Sequence, residues 1–356
     1  MFIDLDRVPN TNFLPYTKTS TNFGVELGLF DQNRVEINYD TYYETNDNEP
    51  QIIPLPNTSG FRNLASNEVS TAKYGHELTL TVRVFKSENP VQWTLIGTGA
   101  LNRRVVTRLP GGVREYIFNV TDNGTSIPVV YRIGRDLSPL LYYNRGVYAS
   151  SADVPVNPAT GLRQQLGNQS FYFQGGDPKW VDVNGDYVID DRDMLPLGNP
   201  FPRATGGIVS NVQWNGFMLI TQVNYTLVRD VLNAASASDL ANFSNNIFGG
   251  TALPPIENYN YWKPDAVGSY NGTVGAVYPN PFDFRRAGVL QPFRTNQSLF
   301  LEDGSYWKIG QITLSYNFQK ELIKRFGMSQ ARLALTAANV YISRDIPALT
   351  QSWFPH

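Results

Sequence analysis

The chain has 356 residues, enough for two ordinary domains or one large β structure. Its 29 basic and 31 acidic residues nearly cancel, so it lacks the electrostatic footprint of a nucleic-acid-binding surface. With no cysteine and two histidines, His/Cys metal centres and cysteine nucleophiles drop out, and neither a G-x-S-x-G elbow nor a P-loop occurs.

No run approaches the ~18 consecutive apolar residues of a membrane helix. Membrane barrels stay open, because their strands alternate and never read as long apolar windows. The opening "MFIDLDRVPNTNFLPY" has no basic segment followed by an apolar core, so no signal peptide is expected there. For an envelope protein, Met1 would then not be the biological start. The absence of cysteine fits the envelope and the cytosol alike.

Four hairpin-like units follow in chain order. In the first, Phe23, Val25, Leu27 and Leu29 alternate with Asn22, Gly24, Glu26 and Gly28. "DQNR" (31–34) turns the chain into Val35, Ile37, Tyr39, Thr41 and Tyr43, which alternate with Glu36, Asn38, Asp40, Tyr42 and Glu44. In the second, Leu78, Leu80, Val82 and Val84 lead through "KSENP" (86–90) to Val91, Trp93 and Leu95. The third is "TGGIVSNVQ", the turn "WNG" (214–216) and "FMLITQVNYTL"; its outbound half alternates less cleanly. In the fourth, Gln311, Thr313, Ser315 and Asn317 alternate with Ile312, Leu314, Tyr316 and Phe318. "QKELIKRFGMSQ" (319–330) then supplies a helical turn before "ARLALTAANVYI".

These strands are read as about 9–13 residues each, near the ~9–11 that cross a bilayer at a tilt. Connections inside hairpins are short, whereas 45–72, 100–203 and 229–304 are read as long loops with added short strands such as "VREYIFNV" (113–120). The polar series (Glu26, Glu36, Asn38, Asp40, Glu77, Gln222, Asn224, Gln311, Asn317) suits a wet lumen with lipid on the other face. Tyr39, Tyr43, Tyr74, Tyr225, Tyr316 and Phe318 fall where aromatic girdles would lie. The fold class is therefore all-β: an antiparallel transmembrane β-barrel, partial, needing neighbouring strands to close. The alternative is a soluble secreted β-sandwich that binds carbohydrate with a Ca²⁺ loop.

"DVNGDYVIDDRD" places side-chain oxygens at loop positions 1, 3, 5, 9 and 12: Asp182, Asn184, Asp186, Asp190 and Asp193. Val188 offers its carbonyl at position 7. That spacing can wrap Ca²⁺, the one cofactor the sequence suggests. Against it, Tyr187 stands where a glycine usually makes the sharp turn, and an acidic turn closed by Asx-type bonds is the competing reading. His76, at a strand start, is read as an interfacial side chain. The carboxylates are read as lumen-facing or turn-forming, so no enzymatic activity is expected.

Read together, several segments resemble the SusC/RagA-like TonB-dependent outer-membrane transporters of Bacteroidota. They are "DPKWVDVNGDYVIDDRDMLPLGNPFPRATGG" (177–207), "YWKPD" (261–265), "FLEDGSYWKIGQITLSYNF" (300–318), "LALTAANVY" (333–341) and "GFRNLASNEVSTAKYGHELTL" (60–80). The resemblance implies about eight strands of a 22-stranded barrel, residues 1–356 being a C-terminal part without the plug domain and last strand. It also implies the outer membrane of a Gram-negative bacterium and import of oligosaccharides or peptides. The implied partners are lipid, a SusD-like surface lipoprotein and, through the plug, the TonB complex. On this reading the loop aromatics Trp180, Tyr259, Tyr261, Trp262 and Tyr270 stack on substrate, meet the lipoprotein lid or pack the loops together.

Overall fold

The computed structural model describes residues 7–8, 14–54, 60, 63–122, 125–167, 170–245, 256 and 259–344. Eight strands follow one another across one antiparallel sheet in chain order. They are β1 (Thr17–Leu29), β2 (Val35–Pro54), β3 (Asn63–Arg83), β4 (Val91–Arg108), β5 (Ala204–Trp214), β6 (Phe217–Leu227), β7 (Tyr306–Asn317) and β8 (Arg332–Ser343). A two-residue strand, Arg7–Val8, runs parallel to the start of β3. Among the described residues no helix is long and apolar enough to cross a membrane.

The register sorts the sheet into two faces. One transverse row reads Leu27, Ile37, Leu80, Gly97, Ile208, Val223, Ile309, Tyr341. The row beside it on the other face reads Glu26, Asn38, Thr79, Thr98, Gly207, Asn224, Lys308. Exposure is inverted relative to a water-soluble sheet. On β7 the buried side chains are Thr313 and Ser315, at 6% and 2%, and the exposed one between them is Leu314, at 47%. Thr313 and Thr336 hydroxyls lie 3.1 Å apart, and Arg332 Nη2 donates to Ser315 Oγ at 3.0 Å, so these polar groups are satisfied on the polar face. Among the described residues no second sheet covers the apolar row, where Leu27, Leu80 and Ile208 are exposed, so these strands do not form a two-layer sandwich.

A bulge explains why the two-residue rhythm begins at Gln311. Between Gln222 and Val223 of β6 the partners on β7 jump from Gln311 to Ile309, leaving Gly310 unpaired. Trp307 and Ile309 therefore share a face with Ile312, Leu314 and Tyr316 despite opposite sequence parity. A Cβ on Gly310 would lie 2.8 Å from Asn224 Nδ2, so the bulged position has little room for a side chain. The register of β8 shifts at the same level, where Asn339 takes φ 52°, a left-handed conformation that asparagine tolerates.

The weak alternation of β5 also has a cause. Tyr225 Oη donates to Thr98 O at 3.0 Å, and the side chain lies across the neighbouring strands. A Cβ on Gly206 would sit 2.4 Å from that hydroxyl, and one on Gly99 3.2 Å. The glycines are the seat for the tyrosine, which covers apolar area that they cannot supply.

Two length expectations need correction. β2, β3 and β4 have 20, 21 and 18 residues, longer than 9–13. Most of 45–72 is therefore strand, not loop, and β4 runs on to Arg108. Beyond the apolar belt the ladder continues while alternation lapses: Ser66, Asn67, Ser70 and Thr71 are all buried there. Hydrogen bonds, not hydrophobic rhythm, define this part of the strands, so the pattern misses it. The anticipated short strand appears at Glu115–Asp122, and the helical turn at α3 (Lys320–Lys324).

The dry cores lie in the long connections. Tyr142, Tyr148, Val154, Phe173, Trp180, Ile189 and Leu290 form one. A second joins Ala237 and Leu240 of α1 (Ala234–Asn245) to Ile256, Phe293 and Phe300. A third seats Tyr131 on Val69, Val106 and Leu109, which ties the loop assembly to the extended ends of β3 and β4. α2 (Phe284–Leu290) brings Ala287 and Leu290 into the interior.

Candidate functional site

The candidate site is the polar face of the wall with the loop assembly at its far end. Within hairpins the chain reverses tightly, as at Asn215 and Gly216, with φ 45° and 85°. All the long connections leave from the opposite strand ends, so the loops gather on one side.

The acidic loop 182–193 is closed by its own oxygens. Asp182 accepts from Gly185 N at 2.7 Å and Tyr187 N at 2.8 Å, and Asn184 Oδ1 accepts from Asp186 N at 2.9 Å. Asp186 Oδ1 accepts from Val188 N at 2.9 Å, while its Oδ2 accepts from Arg192 at 2.9 Å. Asp190 caps Arg192 N at 2.9 Å and accepts from the guanidinium at 2.7 Å. The hydrogen bonds from Arg192 hold the Asp190 carboxyl below its ordinary range. Asp193 is fully buried and accepts from Val183 N and Asp190 N, each at 2.9 Å. Burial pushes its carboxyl upward against those N–H groups. Tyr187 does adopt the left-handed turn, with φ 63°. Among the described residues no three His, Cys, Asp or Glu side chains converge as metal ligands. As arranged, the oxygens accept from amide N–H groups and from the Arg192 guanidinium.

The loop aromatics separate by burial. Trp180 is 2% exposed; it stacks on Tyr142 with ring centroids 5.1 Å apart and meets Phe173 edge-on at 6.0 Å. Its Nε1 donates to Gln297 Oε1 at 2.9 Å. Trp262 is 4% exposed and donates to Ala149 O at 3.1 Å, its ring lying against Gly176 and Gly272. Tyr259 and Tyr261 are half-buried against the second core, and Tyr270 is 51% exposed. Both tryptophans therefore face the loop interior, and Tyr270 alone of the five is exposed to solvent. His76 lies on the apolar face, its Nδ1 2.7 Å from Tyr39 Oη.

Sequence reading missed the groups that pin this assembly. Asp177 is buried, accepts from Arg286 Nε at 2.8 Å and from Gln174 N at 2.8 Å, and forms an ion pair with Arg286 Nη2. Burial pushes its carboxyl up, to about 6, against the pull of that guanidinium. Arg286 also stands over the Phe171 ring at 4.1 Å and donates to Tyr172 O at 3.0 Å. Gln297, fully buried, accepts from Trp180 and Asn144 and donates to Pro292 O and Arg294 O. Asp177 and Arg286 are 109 positions apart, and no local spacing announces the pair.

No protein-family model matches the chain. One TonB-dependent receptor of Formosa agariphila is 23% identical over 360 residues, covering 90% of this chain and 31% of the relative. Two others from the same organism are 21% and 24% identical and cover 95% and 96% of this chain. The solved RagAB peptide transporter superposes with TM-score 0.64 at 19% identity, covering 92% of this chain and 32% of that one. The RagAB peptide importer in its open-open state also gives 0.64, at 18% identity. The fold is that of a TonB-dependent transporter barrel, in part. The resemblance noted from the sequence holds over nine-tenths of the chain. The chain spans 31–32% of the length of the proteins it matches.

Proposed function

We propose that the chain is a wall segment and outer loops of an outer-membrane importer of the TonB-dependent, SusC-like kind. Its substrates are oligosaccharides or oligopeptides, delivered with a SusD-like surface lipoprotein. The observation that carries this reading is the inverted exposure of the sheet: Leu314 outward, Thr313 and Ser315 inward. Such a face is stable against hydrocarbon, where apolar area costs nothing and the inner strands hold their backbone polar groups in the ladder, the two edge strands being left for neighbouring strands to pair. Two aromatic groups bracket it. Phe217 and Tyr316 pack at 4.6 Å near the short turns, and Trp307 packs on Tyr341 at 5.3 Å towards the loops. On β6 the interval from Phe217 to Tyr225 is about 26 Å along the strand, close to the ~25 Å apolar band of membrane barrels once tilt and side-chain reach are included.

In this reading the chain performs no bond chemistry. The wall separates lipid from a wettable passage, and the loops shape what enters. Its place in the whole protein is the C-terminal barrel, with the plug and its TonB contact contributed by other sequence. The relatives being transporters and receptors supports the non-enzymatic reading. The test is detergent dependence of the full-length protein that carries this chain. Extraction only from the outer-membrane fraction, with aggregation when detergent is withdrawn, supports the reading. A soluble monomer in plain buffer would remove it.

A further inference from the structure

A cavity of about 670 Å³ opens where the polar face of β2–β4 meets loop segments 134–138 and 196–203. That volume falls in the ~300–1,000 Å³ range of ligand pockets. Of its lining side chains, Lys73, Arg103, Arg104, Arg135 and Arg203 are cationic and Asp136 alone is anionic. Arg103 is in register with Tyr74 and Tyr43 on the apolar face, which leaves four cations for the cavity. Lys73 and Arg104 pair across β3 and β4 on the polar face, beside Tyr42 and Asn102, which hydrogen-bond each other at 2.8 Å.

These cations are under-neutralised. Lys73 lies 3.8 Å from Glu44, but that carboxylate is closer to Lys18, at 2.8 Å. Arg104 reaches Glu49 at 3.4 Å, and its buried Nε has no acceptor among the described residues. Arg203 donates to the neutral Asn199 at 3.1 Å, and among the described residues neither Arg203 nor Arg135 has a carboxylate within ion-pair distance. Lys73, Arg104 and Arg203 line the same cavity as Asp136, and all three charges act on its carboxyl. Clustering like charges is costly unless something offsets it, and Asp136 with Glu49 and the shared Glu44 offsets the four cations only in part.

We propose that this cavity is an oxyanion station on the passage, taking a carboxylate or sulfate group carried by the substrate. Arg203 and Arg104 offer planar forks that match such a group, and Lys73 adds a point charge. Asp136 limits the attraction, so the group is held weakly enough to move on. The inference rests on the proposed reading that the polar face lines the passage.

The test uses the full-length protein in detergent and three probes: a sulfated disaccharide, tetraglutamate and neutral maltotetraose, titrated calorimetrically at low and high salt. The expected result is that one or both anionic probes bind about tenfold or more tighter than the neutral one, with affinity falling as salt rises. The sulfate and carboxylate arms tell the two oxyanions apart. Lys73→Gln, and separately Arg135→Gln at an exposed loop position that folding tolerates, should each weaken the anionic probe. Equal binding of the neutral probe, no binding of either anion, or unchanged affinity in both variants would overturn the station. A detergent-dependent protein that binds no anion defeats this inference alone, whereas a detergent-independent soluble monomer defeats the wall reading beneath it.

Discussion

The wall and the loop assembly are built from similar residues and bury opposite ones. In the loops Trp180, Phe173, Leu141 and Ile189 are withdrawn from solvent, as water demands, and the polar groups that go in with them, Asp177, Asp193 and Gln297, are hydrogen-bonded. In the wall Leu27, Ile208, Leu314 and Leu335 are exposed while Thr313 and Ser315 are hidden. The difference teaches that a buried hydrophobic core is a response to water, not a requirement of folding. Away from the loop-covered ends of β3 and β4, the wall is held by its hydrogen-bond ladder, with Tyr225 locked over the glycines of its neighbours, rather than by interior grease.

The sharpest way to break the comparison is inside the loops. Arg286→Met leaves Asp177 buried without its guanidinium, at a cost of about 3–5 kcal/mol. Limited proteolysis should then cut within 109–203, while the wall keeps its strand signature in circular dichroism. Loss of the whole sheet would show that the two regions are not separable. Next comes a matched pair in the wall. Leu80→Arg, on the apolar face, should cost ~2–4 kcal/mol in a bilayer refolding assay if it lies near the midplane, and Thr79→Arg, one residue away, should be nearly neutral. Equal penalties would end the two-face assignment.

A smaller effect concerns pH. Burial pushes the Tyr142 and Tyr148 phenols well above their ordinary value. The unfolded chain releases these protons near pH ~10 and the folded loops do not. Loop stability is therefore fully present below that pH and falls as pH rises past it, read as loss of near-ultraviolet dichroism. Constant stability through that range would remove both phenols from the core. The smallest expected effect concerns the acidic turn. Arg192 stands between Asp186 and Asp190, so Ca²⁺ must displace it. Arg192→Ala should acquire a melting temperature that rises with added Ca²⁺ and falls with chelator, more than the unmodified protein does. No Ca²⁺ response in either would leave Asp182, Asn184, Asp186, Asp190 and Asp193 as a purely hydrogen-bonded turn.

By itself the sequence determined what is local. Within the apolar belt, period-two patterning marked the strands and both faces, β5 least cleanly, because each strand repeats its environment at every second residue. Turn chemistry placed the reversals at 31–34, 86–90, 214–216 and 319–330. It also set out the oxygen spacing of 182–193. Tertiary structure decided the rest. The lengths of β2, β3 and β4 beyond the apolar belt depend on hydrogen bonds to partners, which leave no hydrophobic rhythm. Whether Trp180 and Trp262 face a passage or a core, and which carboxylate Arg286 meets, depends on connections folding onto one another across a hundred residues. The cationic cavity likewise exists only where Lys73 and Arg104 of the wall meet Arg135 and Arg203 of the loops. Physical proximity between distant segments follows from three-dimensional packing, and no spacing along the chain encodes it.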